Sequence, residues 1–225
     1  MKGFEPTAVD GERINPSRTV VLAIHWQEDV VNPKTTFGAI FGETVARSGI
    51  IPRTAGLLQS AREAGCLIIY VNIVYRPGYS GIVENNALFR KAVESKGFIV
   101  GTPGVDVVAA LRPEPQDIVM DHSRSSAFFG SDLLTILIGR GIETIALTGI
   151  ATNVAVDHTA RDAMQYGFRT IFVEDCCISS DPEHHRAALI TMRVLCSAVV
   201  TSQDFTALLQ RRGEVAEAPH EGKKE

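Results

Sequence analysis

The side chains with the clearest potential for chemistry follow short apolar runs of the sequence. His25 follows "TVVLAI", and His122 ends "DIVMDH". An imidazole titrates near neutral pH, so it can take up or release a proton during a reaction. A third apolar run, "TIALT", leads into "GIATNVAVDHTARDA" at residues 149–163, where a strand pattern gives way at once to a helical one. Enzymes often place a nucleophile at such a turn, but this turn presents Ala155, which has no reactive group.

Six apolar runs predict the strands that would position these residues. Each run is short, nearly continuous in hydrophobicity and rich in Val, Ile and Thr, which is typical of strands buried on both faces of a parallel sheet. The runs cover residues 19–24, 66–74, 117–120, 144–148, 170–175 and 197–201. Helical patterns between them cover residues 51–65, 131–141, 151–167 and 181–195.

The alternation of strands and helices predicts an α/β fold in which helices cover both faces of a mostly parallel, six-stranded sheet. Ligand sites in such sheets lie at the carboxyl ends of the strands. His25, His122 and the turn before Ala155 all follow strand patterns. We therefore expect them to meet at one edge of the sheet.

The composition is that of an ordinary globular protein. The 225 residues are 45% hydrophobic and 21% charged, with a formal net charge of −4. No concentrated basic segment favours nucleic acid, no apolar run is long enough to span a membrane, and "MKGFEPTAVDGER" is too polar for a secretory signal. We predict a cytoplasmic protein with reduced thiols, since its cysteines lie in apolar segments without CxxC spacing: Cys66, Cys176, Cys177 and Cys196.

The chain length favours one domain. We place it at residues 18–203, after an N-terminal extension at 1–17 and before a polar C-terminal tail at 204–225. Residues 75–103 form a long insertion whose Gly and Pro content predicts a loop with at most a short helix. Long ordered loops of this kind often act as lids over active sites.

Three stretches together resemble the isochorismatase-like hydrolase superfamily, also called cysteine hydrolases. They are "VVLAIHWQEDVVNP" at 20–33, "DIVMDHSRSSAFFGSDL" at 117–133 and "TGIATNVAVDHTARDAMQYGFRTIFVEDC" at 148–176. Three motifs in the family's order make a chance match improbable. The resemblance implies a three-layer, Rossmann-like α/β/α fold, which agrees with the independent prediction above.

The resemblance also implies where the reacting residues lie. In this family a Cys thiolate attacks an amide or related carbonyl, an Asp takes the thiol proton, and a Lys orients and polarises the site. The alignment puts His25 at the Asp position, His122 at the Lys position and Ala155 at the Cys position. An alanine cannot form a covalent intermediate, so this degenerate triad excludes the usual chemistry of the family.

Three interpretations of the two histidines stay open. They could be hydrogen-bonded remnants of a lost triad. They could perform acid–base catalysis without a covalent step, one ring activating water while the other protonates a leaving group. They could bind a metal together with Asp29 or Asp121, although no HxH or HExxH spacing supports this.

Several further residues are predicted to bind substrate. The resemblance implies a cis peptide bond between Ile150 and Ala151, in a turn that directs backbone N–H groups at a substrate oxygen. The planar guanidinium of Arg124 suits a substrate carboxylate, with a salt bridge as the alternative. The full set is Gln27, Asp29, Arg124, Ile150, Ala151 and Thr152.

The sequence thus predicts a hydrolase of small metabolites that uses His25 and His122 as acid and base, without a cofactor or a resident metal. The bond cleaved would be C–N, C–O or a vinyl ether. The alternative is a catalytically inactive relative that binds a small molecule or a protein partner through the same pocket. The resemblance also implies a homo-oligomer, whereas neither nucleic acid nor membrane is expected as a partner.

Overall fold

Strand β1 (Thr19–Ile24) lies near the centre of a six-stranded sheet in the computed structural model, which describes residues 14–210. The strand order is β3-β2-β1-β4-β5-β6, and each neighbouring pair is parallel. The other strands are β2 (Leu67–Ile73), β3 (Ile118–His122), β4 (Thr144–Ile150), β5 (Arg169–Ile178) and β6 (Ala198–Val200). The predicted six-stranded α/β architecture is confirmed.

Two apolar cores form because successive side chains of a strand point to opposite faces of the sheet. In β1, Val21 and Ala23 join the core on one face, whereas Val20, Leu22 and Ile24 join the core on the other. All of these side chains are fully buried. This explains why the strand sequences are almost continuously hydrophobic.

Helices cover both faces of the sheet. Helix α3 packs against α8 on one face, while α6 packs against α7 on the other. The helix bounds are α1 (Glu28–Val31), α2 (Gly38–Ser48), α3 (Ile50–Ala64), α4 (Ala87–Ser95), α5 (Leu133–Gly139), α6 (Asp157–Gln165), α7 (Pro182–Leu195) and α8 (Ser202–Gln210). Among the described residues, none of these helices is long and apolar enough to cross a membrane.

The structure differs from the sequence-based expectations at the margins. The insertion at 75–103 contains a short α-helix, α4, which agrees with the prediction of a loop with at most a short helix; its N-cap Asn86 accepts a hydrogen bond from the backbone N–H of Phe89. The polar tail was predicted to start at residue 204, but that residue lies inside α8. An apolar stripe that includes Phe205 and Leu208 packs this helix into the core. Helices α1 and α2 were not predicted. Residues 1–13 and 211–225 of the proposed extension and tail lie outside the described residues.

Gly149 allows β4 to lie close to β1 at the carboxyl edge of the sheet. Its φ is 135°, and a Cβ atom there would overlap the backbone carbonyl of Ile24. Neither the conformation nor the space is open to a residue with a side chain. The close contact between the two central strands therefore requires glycine at position 149, the first residue of "GIATN".

Replacing Gly149 with Ala should lower the free energy of unfolding by about 2–4 kcal/mol, because the new methyl group would force β1 and β4 apart. Chemical denaturation followed by circular dichroism measures this change. The matched control is Gly56→Ala on the exposed side of α3, where a Cβ meets no atom within 4 Å. That variant should gain about 0.5–1 kcal/mol through better helix propensity. Equal stability of the two variants would contradict this account.

Candidate active site

The candidate site lies at the carboxyl ends of β1 and β4, the two central strands. The chain order of the strands reverses at this point, since β2 lies on one side of β1 and β4 on the other. Such a reversal opens a crevice at the end of an open α/β sheet. His25, which follows β1, and the turn after β4 both border this crevice.

His25 leaves β1 in a left-handed backbone conformation, with a φ of 59°. Its backbone N–H donates a hydrogen bond to the carbonyl of Val71 in β2, at 2.9 Å. His, Asp and Asn tolerate this conformation better than other residues with side chains. The local backbone thus restricts the residue at this position to a few types, and the imidazole is 7% exposed.

His25 is hydrogen-bonded to His122, the last residue of β3. Their Nε2 atoms are 2.6 Å apart, and Nδ1 of His122 lies 3.1 Å from the carbonyl oxygen of Ser126. A carbonyl can only accept, so Nδ1 of His122 carries its proton. In the neutral pair, Nε2 of His25 therefore donates to Nε2 of His122. In this pair Nδ1 of His25 is unprotonated, and protonation of this ring is favoured by its hydrogen bond to the backbone of Ile150.

Burial keeps both rings neutral. It lowers the pKa of His25 well below the usual value, and the neighbouring His122 lowers this pKa further, whereas the backbone of Ile150 favours the protonated ring. Burial also lowers the pKa of His122 to about 4, against a smaller opposing effect of the Ser126 carbonyl. At neutral pH the pair is uncharged, and His25 can act as a base.

The turn after β4 carries Ala155. The peptide bond between Ile150 and Ala151 is cis, as the resemblance implied, and residues Thr152–Val156 form a short π-helical turn that leads into α6. The carbonyl of Ala155 accepts a hydrogen bond from Oγ1 of Thr159, which in turn accepts one from the backbone N–H of Ala127. The turn is therefore tied to the segment that follows β3.

A mostly apolar pocket lies beside this turn and has a volume of about 70 Å³. His25 and Ala155 both line it, together with aromatic and aliphatic side chains from α2, α4 and neighbouring loops. The other lining residues are Val30, Phe37, Phe41, Ile73, Tyr75, Leu88, Phe89, Ala92, Phe98, Ser125, Ile150, Ala151 and Val154. A lining of hydrophobic and aromatic side chains with few polar groups is typical of small-molecule sites.

Gln27 and Asp29, both predicted to bind substrate, are engaged with the protein backbone. The amide of Gln27 donates to the carbonyl of Ile73 and accepts from the backbone N–H of the same residue, at 3.1 and 2.8 Å. The carboxylate of Asp29 accepts from the N–H of Phe98 at 2.6 Å and packs so closely on Gly104 that a Cβ there would overlap it. Both side chains thus hold the loops around the pocket, and their role toward a ligand stays a prediction.

Arg124 and Thr152 also lie outside the pocket lining. The guanidinium of Arg124 donates to the carbonyl oxygens of Gly81 and Ser123, at 2.9 and 3.0 Å. Oγ1 of Thr152 is 2.8 Å from Nδ1 of His185, so a side chain of α7 supports the turn. Of the predicted set of binding residues, Ile150 and Ala151 line the pocket.

The sequence reasoning missed most of the pocket wall. Phe37 and Phe41 lie four residues apart around the start of α2, and this spacing was an available signal for one helix face. Phe89 and Phe98 come from the insertion that was predicted to act as a lid. Tyr75 begins the same insertion and also lines the pocket. Only the fold shows that these rings converge.

The arrangement does not favour a metal between the histidines. Two ligands of one metal ion each bind at about 2 Å and, in tetrahedral geometry, their nitrogens lie about 3.3 Å apart, whereas these two are in direct contact at 2.6 Å. Asp29 is committed to the backbone of Phe98. Within residues 14–210, no three His, Cys, Asp or Glu side chains are grouped so that they could hold an ion.

Comparison with known families agrees with the geometry. Residues 19–204 match the family described as the isochorismatase domain. The chain is also 26% identical to a cysteine hydrolase from Pseudomonas syringae pv. phaseolicola, with a TM-score of 0.79 over 88% of this chain and 95% of that one. The fold around the crevice is thus shared with a solved structure.

Two curated relatives are amidohydrolases. Maleamate amidohydrolase from Pseudomonas putida is 32% identical over 86% of this chain and 88% of that protein. Ureidoacrylate amidohydrolase RutB from Caulobacter segnis is 30% identical over 89% of this chain and 87% of that protein. Both matches extend across nearly the whole domain.

The histidine pair should make stability depend on pH between about 4 and 6.5. Because the folded pKa of His122 is about 4 and the unfolded value is about 6.5, the unfolded chain binds the proton first. Stability should therefore fall by about 3 kcal/mol as the pH decreases through this window, and the His122 contribution should be constant above it. Urea titrations at several pH values measure the change.

The control for this prediction is His122→Gln. It removes the titrating ring, so its stability should fall less steeply than that of the wild type over the same window. His158→Gln, which removes an exposed imidazole from α6, should leave the wild-type slope intact. Parallel slopes for wild type and His122→Gln would contradict the prediction.

Proposed function

This chain belongs to the isochorismatase family, and from that premise we propose that it is a hydrolase of small molecules that works without a cysteine nucleophile. The observation that carries the proposal is the 2.6 Å contact between the Nε2 atoms of His25 and His122, at the wall of an apolar pocket. The two amidohydrolases described above support a hydrolase with a carbonyl substrate.

His25 acts as the general base in this proposal. The neutral imidazole takes a proton from a water molecule in the pocket, and the hydroxide that forms attacks the substrate carbonyl. His122 accepts the hydrogen bond from Nε2 of His25 and so holds the ring in the reactive tautomer. The Ile150 backbone favours the protonated His25 ring that this step creates. Proton transfer of this kind typically contributes about 10²–10⁴-fold to a rate.

The same pair completes the reaction. The tetrahedral intermediate expels its amine or alcohol, and the proton held by His25 passes to that leaving group. The C–N or C–O bond breaks, one water is consumed and the pair returns to its neutral state. Because the proton taken from water returns to the leaving group, the reaction balances without a cofactor.

The turn at Ile150–Ala151 stabilises the intermediate in this proposal. Both residues line the pocket, and the short helical segment that begins at Thr152 presents backbone N–H groups at its first turn. Such groups can donate to an oxyanion that forms on the carbonyl oxygen. Ala155, at the position of the family cysteine, leaves space at this wall for the attacking water.

The alternative is a relative that binds a ligand without turnover, and Ala155 is the residue that favours it. A binding protein would show ligand-dependent thermal stabilisation but no product with amides, esters or vinyl ethers. An active enzyme would release product from at least one of these classes. The two functions are therefore separable by one product assay on the purified protein.

A homo-oligomer in the cytoplasm remains part of the proposal. Large apolar side chains on α5 and α7 support self-association, since Ile138 and Ile190 are 67% and 65% exposed.

Replacing His25 with Gln should lower kcat/KM by about 10²–10⁴-fold, because it removes the proposed general base. His122→Gln should also lower the rate, and it should shift the acidic limb of the pH–rate profile to higher pH, since His122 lowers the pKa of His25. Steady-state assays between pH 4 and 9 on the best substrate of the product screen provide both values.

His158→Gln is the matched control, because it removes an exposed imidazole from the neighbouring helix. It should retain wild-type rates. The mechanism would be abandoned if His25→Gln kept full turnover while remaining folded.

Thiol-blocking reagents should leave the activity unchanged. None of the four cysteines, all of which lie in the described part of the chain, lines the pocket, and burial raises the pKa of Cys66 and Cys176 to about 12. A protonated, buried thiol reacts slowly with iodoacetamide. Activity measured before and after iodoacetamide treatment, with mass spectrometry of the modified sites, tests this. Rapid loss of activity on modification of one cysteine would point to a covalent mechanism instead.

A further inference from the structure

The pocket wall combines five aromatic rings with almost no polar surface. The rings of Phe37 and Phe98 pack edge to face at 5.0 Å, and the ring of Tyr75 packs on Phe98 at 88°. All lining residues belong to the described part of the chain, and none is Lys, Arg, Asp or Glu. Together with the neutral histidine pair, this makes the pocket an uncharged environment for a ligand.

Arg124 packs against an aromatic ring of the pocket wall. The guanidinium of Arg124 lies over the ring of Phe89, 5.8 Å from its centroid. Phe89 lines both the pocket and the neighbouring cavity, whereas Arg124 lines only the neighbouring cavity. A ligand in the pocket therefore contacts Phe89 and not the guanidinium, whose charge acts on the pocket lining at Tyr75, where it lowers the pKa against the larger effect of burial.

An anion lies behind the aromatic wall on another side. Phe37 and Phe98 line both the pocket and a second cavity, and the carboxylate of Asp29 lines that second cavity only. This carboxylate is held by the backbone N–H of Phe98. Arg124 and Asp29 thus each line a cavity that shares phenylalanine rings with the pocket, and neither lines the pocket itself.

We propose that the site selects small, uncharged ligands, with an apolar group against the aromatic wall and a neutral carbonyl group facing His25. This deepens the proposed function and rests on it for the identity of the reacting group. A carboxylate in the pocket would lose its hydration without gaining a cationic partner, which is unfavourable. Tyr75 and Ser125 are the polar side chains, besides His25, that remain available to the ligand.

The preference sets this chain apart from its relative in Pseudomonas putida, whose name gives maleamate as its substrate. Maleamate carries a carboxylate. Its neutral counterpart is cis-crotonamide, in which a methyl group replaces that carboxylate and the amide is kept. The two compounds form a matched pair for testing charge selection.

The experiment is a ligand-observed NMR titration of the wild-type protein with cis-crotonamide and with maleamate. The same spectra report product, so binding and turnover are read from one sample. We expect cis-crotonamide to bind at least about tenfold more tightly than maleamate, because only the carboxylate must be buried without a partner. Equal or tighter binding of maleamate, or no binding of cis-crotonamide, would overturn the proposal.

A second test removes the ring that separates Arg124 from the pocket. Phe89→Ala should let a carboxylate reach the guanidinium, so maleamate should bind at least about tenfold more tightly than to the wild type. Adding Arg124→Gln should abolish this gain. Phe129→Ala is the matched control, since Phe129 lines the cavity of Arg124 but not the pocket, and it should leave maleamate binding unchanged. No gain for folded Phe89→Ala would contradict the screening role of Phe89.

The outcomes separate the ligand preference from the proposed function. Tight binding of cis-crotonamide without product in any assay would sustain the preference and reject the hydrolase. Turnover of maleamate at a higher rate than cis-crotonamide would sustain the hydrolase and reject the preference.

Discussion

The hydrogen bond between the imidazoles of His25 and His122 is the interaction on which the rest of the site depends. Two rings in contact at this distance cannot both be protonated, and burial favours the state in which neither is. The carbonyl of Ser126 then decides the tautomer of His122, and His122 decides that of His25. One backbone carbonyl thus sets the proton arrangement of the neutral pair.

The pair requires a dry and uncharged surrounding, and the fold supplies it. Aromatic side chains from α2, α4 and the insertion between β2 and β3 exclude charged groups from the pocket. Gln27 and Asp29 contribute indirectly, since each binds backbone groups of the loops that carry these rings. Polar residues kept from the family pattern therefore support the wall, while the neutral wall keeps the pKa values of the histidines low.

Residue types in local patterns were enough to predict the sheet. Continuous apolar runs identify strands buried on both faces, and caps such as Asp181 with Pro182 identify the start of a helix. The contribution of α4 to the pocket could not be predicted, because the polar and apolar residues of 75–103 form only a short helical pattern. The position of α4 in the pocket wall depends on contacts with residues that are distant in the sequence.

The sequence by itself determined the α/β fold, the family and the edge of the sheet where the two histidines and Ala155 would meet. Hydrophobic periodicity and composition are local properties of the sequence, so they predict strands and helices without coordinates. Only the tertiary structure decided that the two rings touch, that Phe89 lines both the pocket and the cavity of Arg124, and that the Asp29 carboxylate accepts a hydrogen bond from the backbone of Phe98. These outcomes depend on the packing of side chains from separate elements, which no local pattern encodes.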